Sequence, residues 1–141
     1  MTAEQKALVR ESYASLDPVL DLLGDIFYSR LFEVDPTLKP MFPVDVARQS
    51  EKLMSTLGVA IASLDRMDRL AAFMEDLGVR HAGYGVKLAH YATVEQALLW
   101  TLRMCLGTCF TADVRQAWAE VYGLLAKAMQ RGVARQAVSS A

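Results

Sequence analysis

The chain has 141 residues, which fits one ordinary domain with a sizeable buried core. Its 15 basic and 16 acidic side chains leave a net charge of -1, which gives no electrostatic case for a nucleic-acid partner or an anionic membrane surface. The amino-terminal stretch MTAEQKALVRESY has no apolar run of the signal-peptide type, and no later stretch approaches ~18 uncharged apolar residues. We therefore expect a cytoplasmic protein that does not enter a membrane.

Hydrophobic periodicity of the helical kind extends along nearly the whole chain, and no segment alternates in the way that strands do. The predicted fold class is all-α. The expected helices span about residues 2–16, 18–34, 46–63, 93–106 and 111–131, with a weaker, glycine-broken helical region over 66–86. The sequence ends in the small and polar stretch GVARQAVSSA, so we expect a single domain over 1–132 and a frayed tail over 133–141.

Local signals place the first helices. Thr2 and Gln5 have the spacing of a capping box, and Asp17 followed by Pro18 is typical of a helix start. The second helix is apolar on nearly every side, as expected of a helix that its neighbours cover. Three of the four prolines lie within 35–43, which limits that segment to a short helical turn followed by a bent connector that presents Phe42.

The two cysteines, Cys105 and Cys109, are four residues apart in what the pattern predicts as one helix. Their side chains would share a face, but a disulfide within one helix would strain the geometry, so we expect free thiols. A metal-binding pair is the alternative. No other cysteine or nearby histidine completes a tetrahedral set of ligands for it.

The chain has only two histidines, His81 and His90, whose spacing of nine residues corresponds to a rotation of about 180° along a helix. They cannot face one site from a single helix, so a metal centre here would use one histidine. That excludes the paired-histidine hydrolase signatures and favours a prosthetic group that supplies most of its own ligands, namely haem. A lone histidine is nevertheless most often a core or surface residue.

Two polar side chains occupy apolar helix faces. Gln49 heads a series with Leu53, Leu57 and Ile61 at a spacing of four residues, so it either contacts water at the helix start or faces a group that it can hydrogen-bond. Tyr28 lies in an almost wholly apolar helix, where a backbone carbonyl or a functional partner would satisfy its hydroxyl. From the residue pattern alone, each of the two residues could have a purely structural role or a role in a binding site.

Several longer segments resemble the globin family in the order and spacing that the family shows. LGVRHAGYGVKLAHY, TVEQALLWTLRMCLG and FTADVRQAWAEVYGLLAKAMQRG resemble the iron-binding region and the last two helices of neuroglobins and single-domain bacterial globins. DIFYSRLFEVDPTLKPMF and RQSEKLMSTLG are similar to the distal half of bacterial oxygen-binding globins. The resemblance covers about residues 5 to 132. It implies a globin fold, with a three-over-three helical sandwich around a haem.

The resemblance also implies roles for individual residues. His81 matches the ligand that holds the iron of haem b, with its ring N–H held by a carbonyl near Leu77. On the opposite side the matching positions are Tyr28, Gln49 and Leu53, which would face a gas ligand. The other positions expected to contact the haem are Phe42, Lys52, Leu57, Val86, Tyr91, Val94 and Leu98, with Lys52 near a propionate, and glycines 78, 83 and 85 would let that helix approach the porphyrin closely. His90 is expected to be structural.

Two positions depart from known globin patterns. Neuroglobins carry a histidine where this chain has Gln49, and no third histidine exists, so two histidines cannot close both axial positions. Flavohaemoglobins support the iron-binding histidine with a Tyr and a Glu. Tyr91 matches the Tyr, but the Glu position falls on Val133, which implies a weaker push toward oxygen activation.

Three functions fit the resemblance. The first is reversible binding of oxygen, and also of CO and NO, for storage, transport or scavenging, as in a bacterial haemoglobin. The second is a nitric oxide dioxygenase, which would need a separate flavin reductase because the chain lacks a dinucleotide-binding fingerprint. The third is a sensor module that reports haem ligation to a partner.

Overall fold

The computed structural model describes residues 1–42 and 45–139. Pro43, at the end of the expected connector, and residues 140–141 of the expected tail lie outside the described residues. Within them no strand occurs, which agrees with the all-α prediction. The α-helices are α1 (Ala3–Ser15), α2 (Leu20–Val34), α3 (Val46–Ala62), α4 (Met67–Gly83), α5 (Leu88–Leu106) and α6 (Ala112–Ser139), and short 3-10 helices span Asp17–Val19, Pro36–Met41 and Gly107–Cys109.

The amino-terminal helix begins as its sequence predicts. The Thr2 hydroxyl accepts a hydrogen bond from the Gln5 N–H, and the Gln5 side chain accepts one from the Thr2 N–H, each at 3.0 Å. This is the expected capping box, and it satisfies amide groups that the first helical turn leaves without partners. The prediction that α2 begins at Pro18 was wrong, because Asp17–Val19 forms a separate 3-10 turn and α2 starts at Leu20.

The segment 66–86 was predicted to be broken by glycine, and this was wrong. A continuous helix, α4, spans Met67–Gly83, with Gly78 in its interior. A Cβ added at Gly78 would lie 2.6 Å from the carbonyl carbon of Met129, and a Cβ added at Gly132 would lie 2.6 Å from the carbonyl carbon of Glu75. The two glycines therefore let the backbones of α4 and α6 touch where the helices cross.

The two last helices are longer than predicted. α5 begins at Leu88 instead of near Thr93, and α6 continues to Ser139, eight residues beyond the expected end. Residues 133–139 are thus helical where a frayed tail was expected. Arg135 in this extension forms an ion pair with Glu75 of α4, so a tertiary contact supports the added turns.

The helices α2 and α6 each pack against two further helices, and these contacts enclose the core. The helix α2 packs against α3 and α5, while α6 packs against α4 and α1. The prediction that neighbours cover nearly all of α2 was too strong, because Leu22 is 55% and Val34 42% exposed. The largest fully buried side chain is that of Trp118, whose indole N–H donates to the buried Ser12 hydroxyl at 2.9 Å. None of the described helices is both long and apolar enough to cross a membrane.

Candidate functional site

The helices surround a cavity of about 890 Å³, within the volume range of roughly 300–1,000 Å³ that small-molecule and cofactor sites occupy. Its wall is contributed by α2, the segment after α2, and helices α3 to α6. All of the site residues predicted from the sequence lie on this one wall: Tyr28, Phe42, Gln49, Lys52, Leu53, Leu57, His81, Val86, Tyr91, Val94 and Leu98. The fold thus brings together residues that are up to 70 positions apart in the chain.

His81 lies in the last turns of α4 with its ring half-buried. Its Nδ1 lies 2.8 Å from the carbonyl oxygen of Leu77, one helical turn earlier, as the resemblance implied. A neutral ring that donates from Nδ1 keeps the lone pair of Nε2 free for a further bond. Burial lowers the pKa of His81, and the hydrogen bond to Leu77 opposes that effect only in part. At neutral pH His81 is therefore an unprotonated imidazole with one free ring nitrogen.

The second histidine does not lie on the same helix as the first, so the premise of the rotation argument was wrong. His90 belongs to the first turn of α5, and both histidines line the cavity. The Lys87 N–H donates to His90 Nδ1 at 2.9 Å, which satisfies an amide at the start of α5. This contact gives His90 the structural part that was expected of it.

Tyr28 is the most deeply buried of the polar residues assigned to the site. Its side chain is only 6% exposed, and its hydroxyl lies 3.5 Å from the backbone oxygen of Gln49. Hydroxyl hydrogen bonds normally measure about 2.5–3.0 Å, so this contact is weak and leaves most of the donor capacity unused. Burial raises the pKa of Tyr28 to about 12, so the phenol remains protonated throughout the neutral range.

A close crossing of α2 and α3 sets Gln49 beside Tyr28. A Cβ added at Gly24 would lie 2.5 Å from the Cβ of Ser50, and the Ser50 hydroxyl donates to Asp25 Oδ1 at 3.2 Å. Because this contact fixes α3 one residue after Gln49, it determines how far that residue stands from the Tyr28 ring. Leu53 follows one turn later on the same face, as the periodicity predicted.

The remaining predicted residues also line the cavity. Lys52 is exposed at the edge, and Val86 belongs to the turn between α4 and α5, where Gly85 adopts a φ of +92°. Tyr91, Val94 and Leu98 follow along one face of α5. The expectation for Gly78 was wrong, because it packs on α6. Nothing lies within 4 Å of a Cβ placed at Gly83, and its approach to a haem stays a prediction.

Sequence reasoning missed several wall residues. Tyr122 of α6 lines the cavity, and its hydroxyl donates to the backbone oxygen of Tyr91 at 2.6 Å, which joins α6 to the start of α5. The available signal was the same as for Tyr28, a phenol on an apolar helix face. Others are Met41, Phe73, Met74, Arg80, Tyr84 and Leu125, of which Tyr84 could have been found from its helical spacing to His81.

The cysteines lie away from this wall. Cys105 is near the end of α5 and Cys109 is in the 3-10 helix Gly107–Cys109, so the prediction that one helix carries both was wrong, and both are free thiols. Within residues 1–42 and 45–139, no group of three or more His, Cys, Asp or Glu side chains is arranged to hold a metal ion.

Comparison with known proteins decides the family. The globin family model matches residues 25–129, nearly three-quarters of the chain. The chain belongs to the globin family. This globin is 34% identical to neuroglobin-1 of Oncorhynchus mykiss, 32% to neuroglobin of Tetraodon nigroviridis and 30% to neuroglobin of Danio rerio, in each case over 96% of this chain and 94% of the relative. The globin fold and the resemblance to neuroglobins are thereby confirmed, and the family implies haem and small gaseous ligands.

The structure of this globin fits a haem on its own terms. The cavity has the size of a cofactor site and is lined mostly by apolar side chains, which suits a large planar macrocycle. It offers the free Nε2 of neutral His81 as an iron ligand, as in haem proteins with a proximal histidine. It also holds the poorly satisfied hydroxyl of Tyr28, which is available to a small polar ligand.

Proposed function

We propose that this globin holds haem b through His81 and reversibly binds oxygen, with CO and NO as further ligands, beside Tyr28 and Gln49. When bound, haem would supply a ferrous iron that can bind a diatomic gas, and His81 would hold that iron. The observation that carries the proposal is the presence, on one cavity wall, of a free imidazole nitrogen and a buried hydroxyl whose contact with the protein is 3.5 Å long.

On the His81 side, the protein fixes the ligand atom before any cofactor arrives. The Leu77 carbonyl holds Nδ1 at 2.8 Å, which selects one tautomer and limits rotation of the ring. The lowered pKa of His81 keeps its ring unprotonated at neutral pH, and only the unprotonated form offers a lone pair to iron. Leu77 is thus a positioning group that acts through its backbone, so its side chain can vary without loss of this contact.

On the opposite side, Tyr28 and Gln49 supply hydrogen-bond donors. Donors of this kind favour a ligand that carries partial negative charge, as oxygen does in such a site and carbon monoxide does to a much smaller extent. Each charge-assisted hydrogen bond contributes about 1.5–3 kcal/mol, so the pair predicts slow release of oxygen. The Tyr28 hydroxyl needs to leave only a weak contact with the Gln49 carbonyl in order to donate.

The rest of the wall holds the macrocycle and excludes water. Leu53, Leu57, Val94 and Leu98 contribute apolar surface from α3 and α5, which strengthens the polar contacts made inside the cavity. Phe42 and the exposed Lys52 both line the cavity, and we assign Phe42 to packing against the macrocycle and Lys52 to pairing with a propionate. We assign Val86 and Tyr91 to the same apolar contact surface.

The experiment that tests this function combines spectra with one substitution. We expect the haem-reconstituted protein to give a high-spin ferrous form that converts to a stable oxygen complex and a carbon monoxide complex. We expect Tyr28→Phe to accelerate oxygen dissociation at least about tenfold in stopped-flow, because a hydrogen bond of 1.5 kcal/mol corresponds to about a decade. The carbon monoxide off-rate should change much less and is the internal control.

A different experimental result would contradict each part of the proposal. An unchanged oxygen off-rate in Tyr28→Phe would remove Tyr28 from the site. A low-spin ferrous form would show that an internal ligand closes the open position. Stoichiometric haem with the same ferrous spectrum in His81→Ala would remove His81 as the iron ligand.

A further inference from the structure

Four aromatic rings pack together around Tyr28, at the side of the cavity that Tyr28 lines. Tyr28 packs against Phe27 with ring centroids 5.0 Å apart, against Phe42 at 5.4 Å and against Phe32 at 6.0 Å, and Phe32 and Phe42 are themselves 5.4 Å apart. We call these four residues the Tyr28 cluster. The contacts of Phe27 and Phe42 with Tyr28 are edge-on, at 79° and 69°, the arrangement that aromatic pairs favour.

Phe32 differs from the other three members in its relation to the cavity. Phe27, Tyr28 and Phe42 line the wall, whereas Phe32 does not. Phe32 is half-buried on α2, one helical turn after Tyr28, so it stands behind the Tyr28 ring on the same helix face. Any effect of Phe32 on a bound gas must therefore pass through another residue.

The packing of the rings, more than hydrogen bonding, determines the direction of the Tyr28 hydroxyl. The one polar contact that the hydroxyl makes with the protein is 3.5 Å long, which is too weak to fix the ring. Three aromatic neighbours surround the ring instead, and each such pair stabilises its own geometry beyond the apolar area that it buries. Loss of one neighbour leaves space into which the ring can tilt.

Phe32 also connects helix α2, which carries Tyr28, with the segment that carries Phe42. Phe42 follows the 3-10 helix Pro36–Met41, and its packing on Phe32 ties that segment to α2. Tyr28 and Phe42 both contact Phe32. A displacement of Phe32 would therefore move both Tyr28, the expected hydrogen-bond donor, and Phe42, the expected haem contact.

We infer that Phe32 is a positioning residue for gas binding, which holds the Tyr28 hydroxyl toward the ligand from behind the cavity wall. The inference rests on the proposed function, in which Tyr28 donates to bound oxygen. Removal of the ring should then weaken one hydrogen bond and leave the apolar surface of the cavity in place. The dissociation rate of oxygen should therefore increase, and that of carbon monoxide should change little.

The test measures oxygen dissociation from the haem-loaded full chain for four proteins: wild type, Phe32→Leu, Tyr28→Phe and the double variant. We expect Phe32→Leu to accelerate oxygen release about two- to tenfold, the range set by the contribution of one aromatic pair. In the Tyr28→Phe background the same substitution should change the off-rate by less than about a factor of 1.5, because the group it positions is gone. A loss of packing alone would act equally in both backgrounds.

A matched control and a spectroscopic readout complete the design. Phe110 is also half-buried against the core and lies neither on the cavity wall nor in the Tyr28 cluster, so Phe110→Leu should leave the oxygen off-rate unchanged. In the carbon monoxide complex, Phe32→Leu should shift or broaden the C–O stretching band toward that of Tyr28→Phe. If Phe32→Leu does not fold, Phe32→Met, which preserves more of the volume, takes its place.

The outcomes separate this inference from the proposed function. If Tyr28→Phe accelerates oxygen release and Phe32→Leu does not, or does so equally in both backgrounds, the positioning role is overturned and the proposed function stands. If Tyr28→Phe itself has no effect, the donor role of Tyr28 and the positioning role of Phe32 both fail.

Discussion

The crossing of α4 and α6 at Gly78 allows a quantitative test of the packing. A Cβ at this position would lie 2.6 Å from both the Cα and the carbonyl carbon of Met129, whereas ordinary contacts begin at 3.4 Å. Both partners are backbone, so Gly78→Ala has no flexible side chain to displace and the helices must separate by roughly 1 Å. Overpacking of this kind costs about 1–3 kcal/mol, more than the helix propensity that alanine adds.

For a chain of 141 residues, an unfolding entropy of about 2.1 cal/mol/K per residue converts a loss of 2 kcal/mol into a Tm decrease of roughly 7 °C. The control is Gly123→Ala in α6, where a Cβ would meet nothing within 4 Å and alanine should stabilise by up to about 1 kcal/mol. Thermal unfolding by circular dichroism at equal haem saturation compares the two variants.

Gly78 also precedes His81 by three residues on α4, so a displaced helix should release haem faster in Gly78→Ala. Gly132→Ala, on the other side of the same crossing, should destabilise in the same direction. The reasoning would be refuted if Gly78→Ala were as stable as Gly123→Ala, because α4 and α6 would then not meet at backbone contact.

Four further predictions concern a buried hydrogen bond, two titrations and the choice between functions. Ser12→Ala should lower the free energy of unfolding in guanidinium by about 1–3 kcal/mol, because it leaves the buried Trp118 N–H without its acceptor; Ser15→Ala, at an exposed position of the same helix, should have little effect. Burial lowers the pKa of His81 below 6.5, so the stability that neutral His81 contributes to the haem-free protein is complete above pH 6.5 and is lost as pH falls through its folded-state pKa. The free energy of unfolding of the haem-free protein should fall more steeply with acid than that of His81→Gln, and an equal pH dependence would contradict this. Burial raises the pKa of Tyr28 from 10 to about 12, so the stability that its protonated phenol contributes is complete below pH 10 and is lost as pH rises toward 12. Tyr28→Phe removes this ionisable group, so the free energy of unfolding of the variant should fall less over that alkaline range. Nitrate formed over many turnovers with a separate flavin reductase would favour nitric oxide dioxygenase, and a single turnover would favour an oxygen carrier.

The candidate site was predictable from the sequence to the extent that its residues occur in recognisable motifs. His81, Tyr28 and Gln49 were expected on the strength of such motifs, and they line one cavity together with the other predicted residues. The hydrogen bond between His81 and Leu77 was also expected, because the resemblance implied a carbonyl one helical turn before the histidine. Their roles toward haem and gas remain predictions for the experiments above.

Phe32 illustrates what motifs could not supply. Its type and spacing identify it only as an apolar residue of α2, and nothing local shows that it touches Phe42, ten residues later. The same holds for Tyr122 and its bond to the Tyr91 carbonyl, which joins two helices. Positioning contacts of this kind depend on how helices cross, and a residue pattern within one helix does not contain that information.

The sequence by itself determined the all-α class, the capped start of α1 and the family, because helical periodicity, capping and motif spacing are local properties of the chain. Only the tertiary structure decided where α5 begins and α6 ends and that His90 stands on a different helix from His81. The physical reason is that helix ends are marginal until other groups satisfy them: the His90 ring accepts the Lys87 N–H at the start of α5, and the ion pair of Arg135 with Glu75 supports the extension of α6.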